Sequence, residues 1–303
     1  MIIAGIDEAG YGPLLGPLVV GCCAFEIDSE GCGPLADAKT WPCLWKRLGR
    51  YVSRNRSRTG RKIHVNDSKL VYSPAGGLKE LERAVLALAW TRWDPFDGLE
   101  ALLGHVAPDA WAELEEYPWY RAADGAATRC VRLAARVVPE RQLNRMIDAT
   151  RNKGSMLFSV SAVHLDALLR EFGQRNLLIV CDRQGGREHY GHLLRLMFEE
   201  WALEVNREQD GYADYTLRRG GHAVRIVFRE KAEAQCMSVA VASMLSKYLR
   251  EALMRRFNAY WKSLLPNVQP TAGYYGDGVR FLHDISEKRR ELGITDELLV
   301  RSR

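Results

Sequence analysis

The chain has 303 residues, of which 47% are hydrophobic and 27% charged, with a formal net charge of +5. That composition builds a substantial buried core, as one large domain or two small ones, and excludes a disordered or fibrous polymer. No apolar run reaches the roughly 18 residues that span a bilayer, and the start lacks a basic stretch followed by an apolar helix and a cleavage site, so a soluble, cytoplasmic protein is expected.

In chain order, "MIIAGID" and "PLVVGCCAFEI" read as two apolar strands joined by the turn "EAGYG". Residues 28–64 lose periodicity, and within them "KRLGRYVSRNRSRTGRK" (46–62) holds eight Lys and Arg and no acid. This basic arm either tracks an anionic partner or is a solvated loop. "LKELERAVLALAW" (78–90) has apolar residues at helical spacing. Residues 91–128 lack sustained periodicity apart from a short helix near "DAWAELEE", and read as an insertion. "VRLAARVV" (131–138) is a third strand, followed by helices around 140–151 and 157–173. "NLLIVCD" (176–182) is a strand buried on both faces, and a helix is expected over 187–203. "HAVRIVFRE" (222–230) is a further strand. A long helix over 233–257 carries small residues, Ala234, Ser238, Ala240, Ala242 and Ser243, that let it lie close on a sheet. The order predicts a mixed α/β layer fold. The seven cysteines, without metal-finger spacing, read as reduced thiols serving as small hydrophobes.

Carboxylates stand at three strand ends or helix starts: Asp7 with Glu8, Asp182, and Glu230 with Glu233. Function gathers at the carboxyl ends of neighbouring strands in an open α/β sheet. Acids brought together there repel unless cations neutralise them, and two Mg²⁺ roughly 4 Å apart suit phosphodiester cleavage. Acids at strand ends beside a basic arm therefore suggest a nuclease. Each acid also has a plainer reading: a turn cap for Asp7, a solvated strand end for Glu8, a helix cap for Asp182. Consecutive strand residues face opposite ways, so Asp7 and Glu8 share a site only if the strand ends or bulges between them.

"GIDEAGYGPLLGPLVVG" (4–20) resembles the opening of type 2 ribonucleases H, the RNase HII family, whose pattern is G-x-D-E-A-G-R-G-P-x-x-G-P-V. "NDSK" (66–69), "LLIVCDRQGG", "KAEAQCMSVAVASMLSKYLRE" and "GYYGDGVRFL" (273–282) resemble four further family stretches in the family's order. The resemblance implies an RNase H-like fold: a mixed central sheet flanked by helices, with a catalytic domain over 1–260 and a C-terminal helical, substrate-contacting segment over 261–303. It implies a monomeric endonuclease that cuts RNA, or single ribonucleotides, in duplex with DNA, using two Mg²⁺ or Mn²⁺ ions. By motif position, Asp7, Glu8, Asp182 and Glu233 are its metal ligands and catalytic residues. Gly10, Tyr11, Gly12, Lys69, Lys247 and Tyr274 are its substrate contacts. Residues 28–64 and 91–128 have no family counterpart.

Two positions depart from the pattern. Glu233 stands where the family has Asp, one methylene shorter, and Glu230 is the alternative fourth acid. Tyr11 replaces the Arg of the Gly-Arg-Gly turn that reads the ribose 2′-hydroxyl, so the backbone amides remain but the phosphate-holding cation does not. A lone ribonucleotide is then expected to be held less firmly than a longer RNA stretch. Lys247, four residues before Glu251, either contacts phosphate or pairs with that acid. Tyr274 either stacks on a sugar or is an ordinary surface or core aromatic. The departures keep open a catalytically silent hybrid-binding protein that retains the fold. A nucleotide phosphotransferase is disfavoured, because the glycine turn lacks G-K-[ST].

Overall fold

The computed structural model describes residues 1–27, 41–57, 62–72, 77–89, 93, 98–108 and 132–302. The strands are β1 (Ile2–Ala9), β2 (Leu18–Glu26), β3 (Val52–Ser53), β4 (Ile63–His64), β5 (Arg132–Val138), β6 (Leu177–Asp182), β7 (Ala202–Gln209), β8 (Tyr212–Arg219) and β9 (His222–Arg229). The helices are α1 (Leu44–Arg47), α2 (Ser68–Val71), α3 (Lys79–Ala89), α4 (Gly98–Val106), α5 (Glu140–Thr150), α6 (Lys153–Phe172), α7 (Gly191–Met197), α8 (Met237–Leu264), α9 (Tyr275–Asp284), α10 (Ser286–Glu291) and α11 (Asp296–Leu299). A single 3₁₀ turn, Ala232–Ala234, precedes α8.

Seven strands form one sheet in the order β5-β2-β1-β6-β9-β8-β7. The central three, β1, β6 and β9, run parallel, and the flanking pairs are antiparallel. β6 is buried from Leu177 to Cys181, as a central parallel strand with both faces covered must be. The core lies in two layers. One holds Ile3, Val19 and Cys23 with α3 and α8; the other holds Ile2, Ile6, Val20 and Cys22 with α6 and the hydrophobic side of β8 and β9. Successive residues of β1 and β2 thus serve opposite faces.

The small-sided first half of α8 acts as expected. A Cβ on Gly5 would sit 2.2 Å from the Val239 nitrogen, and one on Gly21 would sit 2.5 Å from the Ala242 oxygen. Backbone meets backbone at these points, and this brings α8 directly beneath β1 and β2.

Several elements differ from the sequence reading. The helix expected over 187–203 is confined to Gly191–Met197, and the chain then forms the hairpin β7–β8, which the periodicity left unassigned. Its signals were present in the turn pairs Asp210-Gly211 and Gly220-Gly221, with Gly211, Gly220 and Gly221 all at positive φ. β7 is mostly exposed, so it shows no apolar alternation. The long helix begins at Met237, not 233, and runs on to Leu264, past the expected end at 257. Within 91–128, residues 98–106 form α4, with Leu102, Leu103 and Val106 buried in the core. The short helix expected at 109–116 lies outside the described residues. The chain beyond 260 shares the same core: Trp261, Phe281, Ile285 and Leu299 are all fully buried in the first layer.

Candidate active site

Parallel pairing puts the carboxyl ends of β1 and β6 side by side. Ile6 pairs with Cys181, so one step on Asp7 comes level with Asp182. β9 runs parallel on the other side of β6, with Arg229 opposite Asp182. The chain then turns through Glu230 and Lys231, the latter left-handed at φ 54°, and carries Glu233 back on the 3₁₀ turn. The Ala232 N–H donates to Asp182 Oδ1 at 2.8 Å, which ties the turn to the strand end.

Asp7 and Glu233 are 9% and 6% exposed, deeply buried for charged residues. Desolvation pushes the Asp7 carboxyl well above its ordinary value; the charges of Glu8, Asp182 and Glu233 push the same way, and a hydrogen bond from Ser243 opposes them. Glu8 rises to about 7 through burial and the Asp182 charge, with Lys69 acting in the opposite sense. Glu233 also rises to about 7, by burial and then Asp182. Asp182 rises through burial, against hydrogen bonds from the Ala232 N–H and Glu233. These four acids feel one another, and among the described residues the Lys69 charge offsets their burial and repulsion only in part.

Asp7 and Glu8 reach this cluster without the expected bulge. β1 stays in register with β2 through Asp7–Gly21, Glu8–Val20 and Ala9–Val19. The two side chains keep to opposite faces. Asp7 meets Ser243 of α8, whose Oγ lies 2.9 Å from Ser68 Oγ, and Ser246 Oγ donates to the Asp7 carbonyl at 3.1 Å. The Glu8 charge bears on Tyr11 and Tyr190 on the other side. Asp182 interacts with both. Among the described residues, no three His, Cys, Asp or Glu side chains are arranged, as they stand, to hold a metal ion. The donor set nevertheless fits a hard divalent cation: four carboxylates, and a Glu233 Oε2 that is buried without a hydrogen-bond partner.

Of the two candidates for the fourth acid, Glu233 is the one brought among the others. Glu230 pairs with Arg183 at 3.6 Å and with Lys231 at 3.2 Å. Lys69 is the second residue of α2, where Asp67 caps the helix by accepting from the Lys69 N–H at 2.9 Å. Its ammonium is lowered by burial and raised more strongly by Asp67, Glu233, Asp7 and Asp182, with a net rise. Lys247 is engaged by Glu251 at 2.6 Å and lies 4.8 Å above the Tyr72 ring.

Gly10, at φ +89°, turns the chain out of β1 at a place where a Cβ would strike the Pro17 carbonyl at 2.6 Å. Tyr11 rests on the loop after β6, where a Cβ on Gly185 would lie 2.9 Å from its hydroxyl, and Lys153 stands 5.7 Å over its ring. Gly12 is open on the side its Cβ would take. Tyr274 is exposed, and its backbone is fixed next to this turn. The Gly273 carbonyl accepts from the Leu14 and Leu15 N–H groups at 2.7 and 3.0 Å, and Asp277 accepts from Thr271 and Ala272.

The sequence reading missed two arginines here. Arg250, 2% exposed, lies against Gly10, donates to the Ala272 carbonyl at 2.9 Å, and sits 5.9 Å from the Tyr274 ring. The family motif places an Arg at that position, and this was the available signal. Arg301, also 2% exposed, donates to the carbonyls of Gly10 and Gly16, and nothing in the sequence pointed to it.

Several cations of the basic arm have partners within the chain, although Arg54 and Arg56 stay exposed. Arg54 lies 4.0 Å from the Trp45 ring and donates to the Ala234 carbonyl, Arg56 pairs with Glu80, and Lys62 donates to the Gly49 carbonyl. Arg58 and Arg61 lie outside the described residues. Cys22, Cys23 and Cys181 are buried free thiols, as expected of small hydrophobes. No helix among the described residues is long and apolar enough to cross a membrane.

The mixed seven-stranded sheet, flanked by helices and carrying acids at neighbouring strand ends, is an α/β layer fold. No known family profile matches the chain. It is 70% identical over 30 residues to a ribonuclease HII of Methanocaldococcus jannaschii, a match that takes in 10% of this chain and 12% of that relative. Solved structures similar over nearly the whole chain include the RNase HII of an Archaeoglobus fulgidus PCNA:RNase HII complex (17% identity, TM-score 0.47, covering 100% of this chain and 95% of that one). Others are the ribonuclease H2 of Pyrococcus horikoshii (16%, 0.49, 99% and 92%) and Bst-RNase HIII in complex with Mn²⁺ (17%, 0.49, 99% and 66%). At those TM-scores the structural likenesses carry no argument. The short match is 70% identical, and the chain's five motifs resemble those of the type 2 ribonucleases H in the same order.

Proposed function

We propose that the protein is a divalent-metal-dependent endonuclease that hydrolyses the RNA strand, or embedded ribonucleotides, of RNA–DNA duplexes. The observation that carries this is the set of four mutually repelling, largely buried carboxylates, Asp7, Glu8, Asp182 and Glu233, at adjacent strand ends, all held above their ordinary values although the Lys69 charge bears on the site. Those four would hold Mg²⁺ or Mn²⁺. Bound there, such ions supply an activated water and stabilise the leaving oxygen of a phosphodiester.

The chain's own residues do the rest. The Ala232 N–H and Ser243 hold the Asp182 and Asp7 carboxylates in place. Lys69, whose side chain is 80% exposed, reaches toward the acids from the solvent side and is placed to contact a phosphate. The Gly10–Tyr11–Gly12 turn offers close backbone approach to a ribose, and Tyr274 offers an exposed aromatic plane beside it. Lys247, engaged by Glu251, is a weaker phosphate contact than its motif position implies.

The direct test is cleavage of a labelled RNA–DNA hybrid with Mg²⁺, with Mn²⁺ and with chelator. Metal-dependent cuts in the RNA strand support the reading. Binding of the hybrid without cleavage under either metal would instead identify a silent hybrid-binding protein, the outcome that Tyr11 and Glu233 keep in play.

A further inference from the structure

The turn between β1 and β2 is clasped from within by a residue near the other end of the chain. The Arg301 guanidinium donates through Nη1 to the Gly10 carbonyl at 2.5 Å and the Gly16 carbonyl at 3.2 Å, and through Nη2 to the Tyr11 carbonyl at 3.4 Å. Its own N–H donates to the Leu14 carbonyl at 3.1 Å. Asn144 of α5 braces the same segment on both sides: its Nδ2 donates to the Val300 carbonyl at 2.8 Å, and its Oδ1 accepts from the Ser302 N–H at 2.7 Å. Glu140, the first residue of α5 and fully buried, accepts the Gly16 N–H at 3.1 Å. Gly16 is therefore held at both of its peptide poles by opposite charges.

We propose that Arg301 is a positioning residue for the Gly10–Tyr11–Gly12 turn. It fixes the turn's carbonyls inward and so sets the face that the turn presents to a ribose. The proposal rests on the ribose-reading role assigned above. A turn that contains two glycines is costly to order, because glycine has the most backbone freedom to lose. Two of its carbonyls, with that of Gly16 beyond it, are held by one rigid, always-charged fork, which removes that freedom before a substrate arrives, and a planar guanidinium does this better than a point charge. Arg301 is buried and cannot stand in for an arginine at position 11 as a phosphate-holding cation; it acts only on the backbone.

The test compares the parent with Arg301→Ala and Arg301→Lys. Lys retains the charge and one donor group if the Ala variant does not fold. The first readout is the ratio of dissociation constants for an RNA–DNA hybrid and an all-DNA duplex of the same sequence, measured in chelator so that cleavage plays no part. The second is hydrogen exchange at the amides of residues 10–16. The expected result is a loss of about tenfold in ribose preference for Arg301→Ala, matching one charged hydrogen bond, with faster exchange at 10–16 and an intermediate effect for Arg301→Lys. A parent that prefers the hybrid and variants that keep the full preference would overturn the positioning role and leave the proposed function standing. A parent with no preference for ribose would overturn both.

Discussion

Two sets of buried carboxylates in the same sheet are treated in opposite ways. On β8, Asp214 is 2% exposed, and Arg225 of β9 meets it with Nε at 2.9 Å and Nη2 at 2.5 Å. Asn206 and Tyr212 satisfy what remains of it. The Asp214 hydrogen bond pushes the Arg225 guanidinium up, as a matched pair should. At the ends of β1 and β6, Asp7, Glu8, Asp182 and Glu233 are gathered with Lys69 acting on them across a partly exposed site, and all four are pushed up. A fold that neutralises one buried acid completely, two strands away, leaves four others unmatched. On the proposed function, the difference separates an acid kept for structure from acids that would take up an external cation.

Removing one acid from each set tests this most sharply. Asp7→Asn should lower hybrid cleavage by on the order of 10³-fold or more while leaving hybrid binding and folding nearly intact, since placed metal charge is worth several kcal/mol in the transition state. Normal turnover would end the assignment. Asp214→Asn should do the reverse. It strands the Arg225 guanidinium, whose side chain is 11% exposed, and should cost about 3–5 kcal/mol of stability with little change in kcat for the protein that remains folded. Chemical denaturation of both variants alongside the cleavage assay tells the two roles apart.

The same contrast predicts how stability responds to pH and metal. Glu8 and Glu233 rise from an ordinary value near 4.5 to about 7. A carboxyl with a raised folded value binds its proton more tightly when folded. For these groups the metal-free protein is therefore most stable below about pH 4.5, loses stability as pH climbs to about 7, and stays weakened above. The loss is on the order of a few kcal/mol. Added Mn²⁺ should restore it, raising Tm at pH 8 and hardly at pH 5. An equal Mn²⁺ effect at both values would show that these carboxylates do not bind it.

The basic arm is expected to have a smaller effect. Neutralising Arg47, Arg50, Arg54 and Arg56 in an arm that tracks the duplex would flatten the slope of log K against log salt by roughly 3–4. Arg54 lies on Trp45 and the Ala234 carbonyl, and Arg56 pairs with Glu80. The expected change is therefore smaller, at most about 2. Arg54 braces the turn that carries Glu233, so losing it should weaken cleavage more than binding.

Much of this was legible in the sequence where local pattern and burial agree. β6 was readable because both of its faces are covered, and the placing of α8 because its side chains are too small for any other use. Asp7 and Asp182 were legible because they end apolar strands. β7 was not, because its outward face erases the alternation that marks a strand. Arg301 was hidden for a different reason. Its partners are backbone carbonyls some 290 positions away, and a carbonyl carries no residue identity. The opposed faces of Asp7 and Glu8 followed from the pleat, while the way Asp182 interacts with both depended on the register between β1 and β6.

The smallest expected effect concerns Tyr11, where the chain departs, beside the acids, from the motif it resembles. An arginine there would add a charge-assisted hydrogen bond to a substrate phosphate, ordinarily about 1.5–3 kcal/mol. Its surroundings oppose the gain. Lys153 stands 5.7 Å over the Tyr11 ring, and the Arg187 charge acts on its hydroxyl. A third cation would meet repulsion on the order of 1 kcal/mol from each of these partly solvated neighbours. Tyr11→Arg should therefore raise kcat/KM for a single ribonucleotide embedded in DNA by only a few-fold, and for a continuous hybrid by less, because a longer RNA stretch offers several registers. Pairing Tyr11→Arg with Lys153→Met should release the larger gain, close to tenfold on the lone ribonucleotide. Kinetics of the four proteins on the two substrates form a double-mutant cycle. Strict additivity would show that Lys153 does not limit what a cation at position 11 contributes, and equal effects on both substrates would remove Tyr11 from the choice between them.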